Sequence, residues 1–411
     1  MSYKKWVNAE IDKAKASALS EKLNIDAFVA FLLVSRGIDD ELAASEFLSD
    51  GCRFSSPYLL KDMDKAVKRI NRALDDGESI CIYGDYDCDG VTSTALLYTF
   101  LSALGGFVSY YIPNRATDGY GMNFKAIDKI KADGTDLIIT VDNGISSIEE
   151  AEYIYSLGMQ LIVTDHHQIG ENLPRAEAVI NPHREDNEIE FRDFAGVGVA
   201  FKLACALYDG DVEDLLEDYA DYVTIGTIGD MVPLLNENRA IVKAGLKLIN
   251  ADAKIGICAL KKSTNSKAEH FSATDVAFQI CPRINAAGRM DTANLAVDLL
   301  TCEDNEIAEY KAEQLNLENT HRHEVEEKID KDIAEIMAND RAYQTDRVIV
   351  VAGHNYHKGV IGICAAHLVE LYSKPAIVIG IDDEGNATGS ARSIDGFNIF
   401  EAISSCSDIL T

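Results

Sequence analysis

Between Ser79 and Thr164 the chain alternates short apolar runs with longer amphipathic ones. Ile80–Tyr83, Phe107–Ile112, Leu137–Val141 and Leu161–Thr164 read as strands, and Val91–Leu104, Asn123–Ala132 and Ser147–Leu157 as the helices between them. Runs this short with little polar alternation suit strands covered on both faces. The strand and helix cadence therefore predicts an α/β fold built on a doubly wound parallel sheet. In such sheets ligands bind outside the carboxyl ends of the strands.

Those strand ends carry the chemistry. The first runs into Tyr83-Gly84-Asp85-Tyr86-Asp87-Cys88-Asp89-Gly90, the third into Asp142-Asn143-Gly144, and the fourth into Asp165-His166-His167. A fourth segment, Gly229-Asp230-Met231-Val232-Pro233, follows a helical stretch. Carboxylate oxygens and imidazoles in this proportion suit a pair of divalent ions. Mixed ligation of this kind favours Mn²⁺, with Mg²⁺ as the second choice. Asp85 and Asp87 are two apart, so an extended backbone aims both carboxylates the same way. Asp142, in a turn, is the natural bridging carboxylate. Adjacent histidines point different ways, so His166 is assigned to metal and His167 to the substrate phosphoryl group, with Asp165 orienting one ring. Asp89 reads as a helix cap or a support behind the ligands. Glycine-loop nucleotide binding is excluded, because the chain contains no Walker-type motif.

The 38 basic and 68 acidic residues give a net charge of −30, which repels nucleic acid at long range and argues against nonspecific coating of DNA. A polyanion must then be held locally, and bound cations provide such a local inversion of sign. Nine scattered cysteines, none spaced as CxxC, indicate neither a disulfide framework nor a zinc ribbon. Cys81 and Cys88 read as packing residues. The start lacks the apolar core of a secretory signal and no run approaches a membrane span, so a cytoplasmic location is expected, with no membrane partner.

The 411 residues are expected to divide into an N-terminal helical segment (1–75), a catalytic domain (76–260), a helical connector (261–340) and a second, smaller α/β domain (341–411). The polar stretch Lys261–Glu269 reads as a loop, and Asn305–Asn339 as a long charged helix joining two lobes. Lys61, Lys65, Lys68 and Arg72 fall at helical spacing, and a solvated face is preferred over a nucleic-acid track.

The four acidic and histidine motifs, in this order, resemble the DHH phosphoesterase superfamily, named for the triplet Asp165-His166-His167. Tyr83–Asp87, Phe194–Lys202, Gly226–Leu234, Arg283–Met290 and Gly389–Ser393 are similar in particular to its single-strand-specific 5′→3′ exonucleases, and the likeness extends over nearly the whole chain. The resemblance implies that Asp85, Asp87, Asp142, His166 and Asp230 hold two Mn²⁺, with Asp142 and His167 in catalysis. It also implies that Arg115, Arg289, Ser390 and Arg392 bind the DNA, some at its 5′ phosphate; guanidinium forks suit phosphate oxygens. The implied substrate is single-stranded DNA with a 5′ end, cleaved to 5′-mononucleotides in repair and recombination. A repair helicase or a single-strand-binding protein would be the expected helper. Asn355-Tyr356-His357-Lys358-Gly359 has tyrosine where this group commonly carries tryptophan, which keeps an aromatic face. The chain also stops at Thr411, before the Gly-Gly-His segment of the DHH-associated domain and without an OB-fold, so a truncated form with a partial second domain is expected. Two competing readings are a small-substrate phosphodiesterase of the same superfamily, acting on oligonucleotides, cyclic dinucleotides or 3′-phosphoadenosine phosphate, and a noncatalytic scaffold.

Overall fold

The computed structural model describes residues 10–49, 54–115, 119, 121–251, 253–290, 292–340 and 342–406. Five strands, β1 (Ser79–Tyr83), β2 (Phe107–Tyr111), β3 (Leu137–Val141), β4 (Gln160–Thr164) and β5 (Ala178–Ile180), form one sheet in the order β2-β1-β3-β4-β5. All four pairings are parallel. The chain moves outward from β1 to β2, then back across to β3, which puts the switch point of the sheet between β1 and β3.

Successive side chains on each strand point to opposite faces, and both faces are covered. Ile80, Ile82, Leu137, Ile139 and Val141 join the core beneath helices Cys88–Ala103, Gly196–Leu207 and Val212–Gly229. Cys81, Tyr83, Ile138, Leu161 and Val163 meet helices Phe124–Ala132 and Ile148–Ser156 on the other side. Ile139 is fully buried, so truncation to alanine there would cost about 2–5 kcal/mol.

Three further strands make the second sheet: β6 (Ile349–His354), β7 (Ala376–Ile381) and β8 (Ala387–Arg392). Helix Ile361–Tyr372 crosses over between the parallel pair β6 and β7, while β8 returns antiparallel to β7. Burial alternates along β6, so a single face of it is packed. Helix Asn305–Asn339 has the bounds expected from the sequence and serves both cores. Ala308, Ala312 and Leu315 lie in the main core, and Ile329, Ile333 and Met337 in the second.

The segment after residue 261 is more than a bridge: Ile280, Ile284 and Ala287 pack into the main core. Helix Ile255–Ser263 runs on through Lys261–Ser263, where the sequence read as loop, because Ile257 and Leu260 anchor it. At the N-terminal end, helices Lys13–Leu23, Ala27–Ser35 and Glu41–Leu48 share a small core of Leu19, Ala30, Leu33, Ile38 and Ala44. The basic stripe is a solvated face, as expected. Lys65 pairs with Asp62 at 2.6 Å, Arg72 with Asp76 at 3.3 Å, and Arg69 turns inward. Among the described residues no helix is long and apolar enough to cross a membrane.

Candidate metal centre

The loop after β1 is held tight by the helix that follows it. That helix begins at Cys88, three residues earlier than the sequence suggests, because Asp87 is its cap: Oδ1 accepts from the Asp89 and Gly90 amides at 3.0 and 3.1 Å. Gly90 lets the first turn lie against the loop, since a Cβ there would fall 2.6 Å from the backbone of Asp85. After β3, Asp142 adopts φ +60°, a left-handed conformation that non-glycine residues adopt at a cost. The neighbouring Asn143 side-chain amide donates to Tyr83 O at 3.1 Å and Val141 O at 2.8 Å, fastening the ends of β1 and β3 together.

Asp165, after β4, organises both histidines. Its Oδ1 accepts from the amides of His166 (2.7 Å) and His167 (3.0 Å) and lies 2.8 Å from His167 Nδ1, while Oδ2 accepts from Ile145 N at 2.9 Å. The orienting role expected of Asp165 is therefore directed at His167.

These strand ends converge. His166 Nε2 lies 3.0 Å from Asp142 Oδ1, 3.6 Å from Asp89 Oδ2 and 3.7 Å from Asp230 Oδ2. Ligand atoms within 4.8 Å of one another group Asp85 with Asp87 and Asp142, Asp89 with His166 and Asp230, and Asp142 with both histidines. Asp142 belongs to two of these groups, the placement expected of a shared carboxylate. Asp85 Oδ1, Asp142 Oδ1 and His166 Nε2 are buried without a hydrogen-bond partner. Burying such atoms unpaired is costly, and a cation between them removes the cost.

Electrostatics point the same way. Burial, then the charge of Asp87, pushes Asp85 up to about 7, and the same two causes raise Asp230 to about 6. Asp89 and Asp142 are driven well above the carboxylate range by burial and by neighbouring carboxylates. Burial and the charge of His167 push His166 down to about 4, which leaves a neutral imidazole able to ligate. His167 moves up instead, chiefly through its hydrogen bond to Asp165. So many acids in one buried place hold protons unless multivalent cations replace them.

Asp89 is a helix cap, as the sequence suggests, but of a distant helix: its carboxylate accepts from Gly196 N at 2.6 Å and Val197 N at 2.8 Å, the first amides of helix Gly196–Leu207, and it stands beside His166 and Asp230 in one ligand group. The sequence does not single out Asn285, whose Oδ1 accepts the Cys88 amide at 2.8 Å and so braces the first acidic loop.

A basic cleft adjoins the carboxylates. Arg115 lies 5.2 Å from the centre of the Tyr86 ring, and Arg115 and Arg289 line a cavity of ≈ 290 Å³ with Tyr356, His357 and Lys358 of the second domain. Arg289 spans the two lobes by donating to Gly359 O at 3.0 Å. Burial, then repulsion from Arg115 and Arg322, lowers Arg289 to about 10. Ser390 and Arg392 do not line that cavity. They flank the start of helix Ile361–Tyr372, where a Cβ on Gly362 would fall 2.9 Å from Ser390 Oγ and 3.2 Å from Arg392 Nη2. Arg322, buried and with its Nε unpaired, is a further guanidinium that the sequence did not single out.

Carboxylates and imidazoles gathered at the switch point of a parallel sheet, with guanidinium groups facing them from a cleft, define the fold and site of a metal-dependent phosphoesterase. Residues 79–227 match the model of the DHH family, N-terminal domain, and residues 345–410 that of the DHHA1 domain. Over 408 residues the chain is 43% identical to the single-stranded-DNA-specific exonuclease RecJ of Bacillus subtilis, covering 99% of this chain and 51% of that one. A crystal structure of exonuclease RecJ bound to manganese superposes with a TM-score of 0.74 at 33% identity, covering 87% of this chain and 88% of that one. RecJ of Thermus thermophilus in complex with Mn²⁺ gives 0.81 at 31% identity, covering 97% of this chain and 56% of that one. The chain belongs to the DHH family, in its RecJ branch. It spans about half the length of the Bacillus subtilis relative.

Proposed function

We propose that this chain carries the catalytic core of a 5′→3′ exonuclease that hydrolyses single-stranded DNA to 5′-mononucleotides. The observation that carries the reading is the placement of buried, unpaired Asp85 Oδ1, Asp142 Oδ1 and His166 Nε2 in adjoining ligand groups that share Asp142 at the strand ends. It is supported by the manganese-bound relatives that share the fold.

Asp85, Asp87 and Asp142 would hold one cation, and Asp89, Asp142, His166 and Asp230 the other; Mn²⁺ suits the mixed donor set. When bound, the pair supplies Lewis-acid charge at the scissile phosphate. The protein's own part is orientation. His167, fixed through Nδ1 by Asp165, presents its Nε2 edge to a phosphate oxygen, and its raised pKa favours the cationic form that such a contact rewards. Arg115 and Arg289 hold the strand's phosphates in the interlobe cavity, with Ser390 and Arg392 contributing from the second domain. A net charge of −30 makes this basic pocket a local exception, so a strand is gripped only where cations and guanidinium groups cluster. A protein with this substrate would work in the cytoplasm, alongside a helicase or single-strand-binding protein that exposes the 5′ end.

The test is hydrolysis, in Mn²⁺, of a 5′-phosphorylated single strand beside a blunt duplex and a dinucleotide. Rapid release of mononucleotides from the long single strand is expected. Preference for the dinucleotide would move the reading to a small-substrate phosphodiesterase, and metal-independent binding without turnover to a scaffold.

A further inference from the structure

Tyr86 stands between Asp85 and Asp87 in the first acidic loop, and its ring carries a cation of its own: the Arg115 guanidinium lies over it, 5.2 Å from the centroid. That is inside the roughly 6 Å reach of a cation–π contact. Arg115 lines the interlobe cavity, whereas the half-buried Tyr86 does not. The ring is a floor beneath the guanidinium.

We propose that Tyr86 is a positioning residue, which holds Arg115 where it grips a phosphate of the single strand and so ties that grip to the metal-binding loop. The inference rests on the exonuclease reading of the cleft. A carboxylate would hold Arg115 by occupying its fork of N–H donors, but an aromatic face attracts the charge from below and leaves the fork for a phosphate.

The floor is itself fixed in place. Gly288, on helix Cys281–Met290, lies against Tyr86 so closely that a Cβ there would fall 2.2 Å from Tyr86 O and 3.1 Å from Tyr86 Cβ. One turn earlier on that helix, Asn285 Oδ1 accepts the Cys88 amide at 2.8 Å. Both contacts seat the loop on the helix that also carries Arg289. Burial, then repulsion from Arg115, lowers Arg289 to about 10, so the two guanidinium groups feel one another in the cavity they line. The negative face of a ring under Arg115 offsets part of that repulsion before DNA arrives.

The test is a double-mutant cycle on the full chain, read as KM and kcat in Mn²⁺ on a 5′-phosphorylated oligothymidylate, with a melting curve for each variant. Tyr86→Leu should raise KM about fivefold, the loss falling in KM more than in kcat. Tyr86→Phe keeps the ring face and should stay within about twofold of the parent's KM. In an Arg115→Ala background no guanidinium is left to place, so Tyr86→Leu should add no more than about twofold. Tyr86→Met refills the space with a flexible chain and no ring, and carries the same expectations should Tyr86→Leu melt below the assay temperature. An unchanged KM in the ringless variant, a Tyr86→Phe as impaired as that variant, or full multiplication of the two losses in the double variant overturns the proposal. A parent that leaves the single strand uncut overturns the exonuclease reading and this inference with it. Independent losses in a parent that cuts the strand overturn this inference alone.

Discussion

His166 Nε2 and Asp142 Oδ1 lie 3.0 Å apart, both buried, and neither makes a hydrogen bond. Two acceptor-type atoms held this close are stable only with a shared cation or a proton between them. Asp142 also belongs to the group with Asp85 and Asp87, so replacing it weakens both sides of the centre at once. Asp142→Asn is expected to lower kcat on single-stranded DNA by at least about a thousandfold, with thermal stability in the absence of metal unchanged or raised, because a repulsive buried charge is gone. Steady-state assay in Mn²⁺ with a parallel melting curve checks both halves. Near-normal turnover would remove Asp142 from the mechanism.

Gly196 is the point where helix Gly196–Leu207 touches the centre. A Cβ there would fall 2.6 Å from Asp142 Cβ, and the Gly196 amide also donates to Asp89. Gly196→Ala must push the helix start away from two ligands together. Overpacking of this kind costs about 1–3 kcal/mol and should raise the Mn²⁺ concentration for half-maximal activity by an order of magnitude or more. A manganese titration at saturating DNA decides it, and a curve that overlays the parent's refutes the expected coupling.

The pH response follows from the acids. In the cation-free fold Asp85 is raised from 3.8 to about 7 and Asp230 to about 6, each by burial and then by Asp87. An acid with a raised folded pKa stabilises the fold fully below its unfolded value, and loses that contribution as the pH climbs through the folded value. Cation-free protein should therefore melt at a lower temperature at pH 8 than at pH 5.5. Added Mn²⁺ should raise Tm more at pH 8, where it no longer displaces protons. An equal Mn²⁺ effect at both pH values would show that these carboxylates do not meet the ion.

Much of this centre was legible in the chain because its parts sit at the ends of strands. Runs such as Leu137–Val141 are too short and too apolar for anything except a covered strand, so Asp142 and His166 fall where ligands bind. β5 escaped notice because Ala178–Ile180 is only three residues long. Which helix Asp89 caps was hidden for another reason. Its partners Gly196 and Val197 lie more than a hundred residues away, and only the packing of that helix start beside β3 reveals where its carboxylate points. Arg322 was hidden in the same manner, as one charge in a long charged helix whose inward register depends on the second domain.

Arg289 should separate grip from chemistry. It is held by its bond to Gly359 O, lines the interlobe cavity with Arg115, and is lowered to about 10 by burial and by the neighbouring guanidinium groups. An anion relieves that repulsion, so binding a phosphate there gains from both the fork and the discharge of the cluster. Arg289→Lys keeps the charge but cannot both span to Gly359 and offer a two-pronged contact, which makes the change costly at this position. The expected result is a KM for 5′-phosphorylated single strands raised about tenfold or more, with kcat within a few-fold of the parent, equivalent to the loss of roughly 1.4 kcal/mol or more of binding. A fall confined to kcat would instead place Arg289 at the scissile phosphate, and identical constants would detach the interlobe cavity from the path of the DNA.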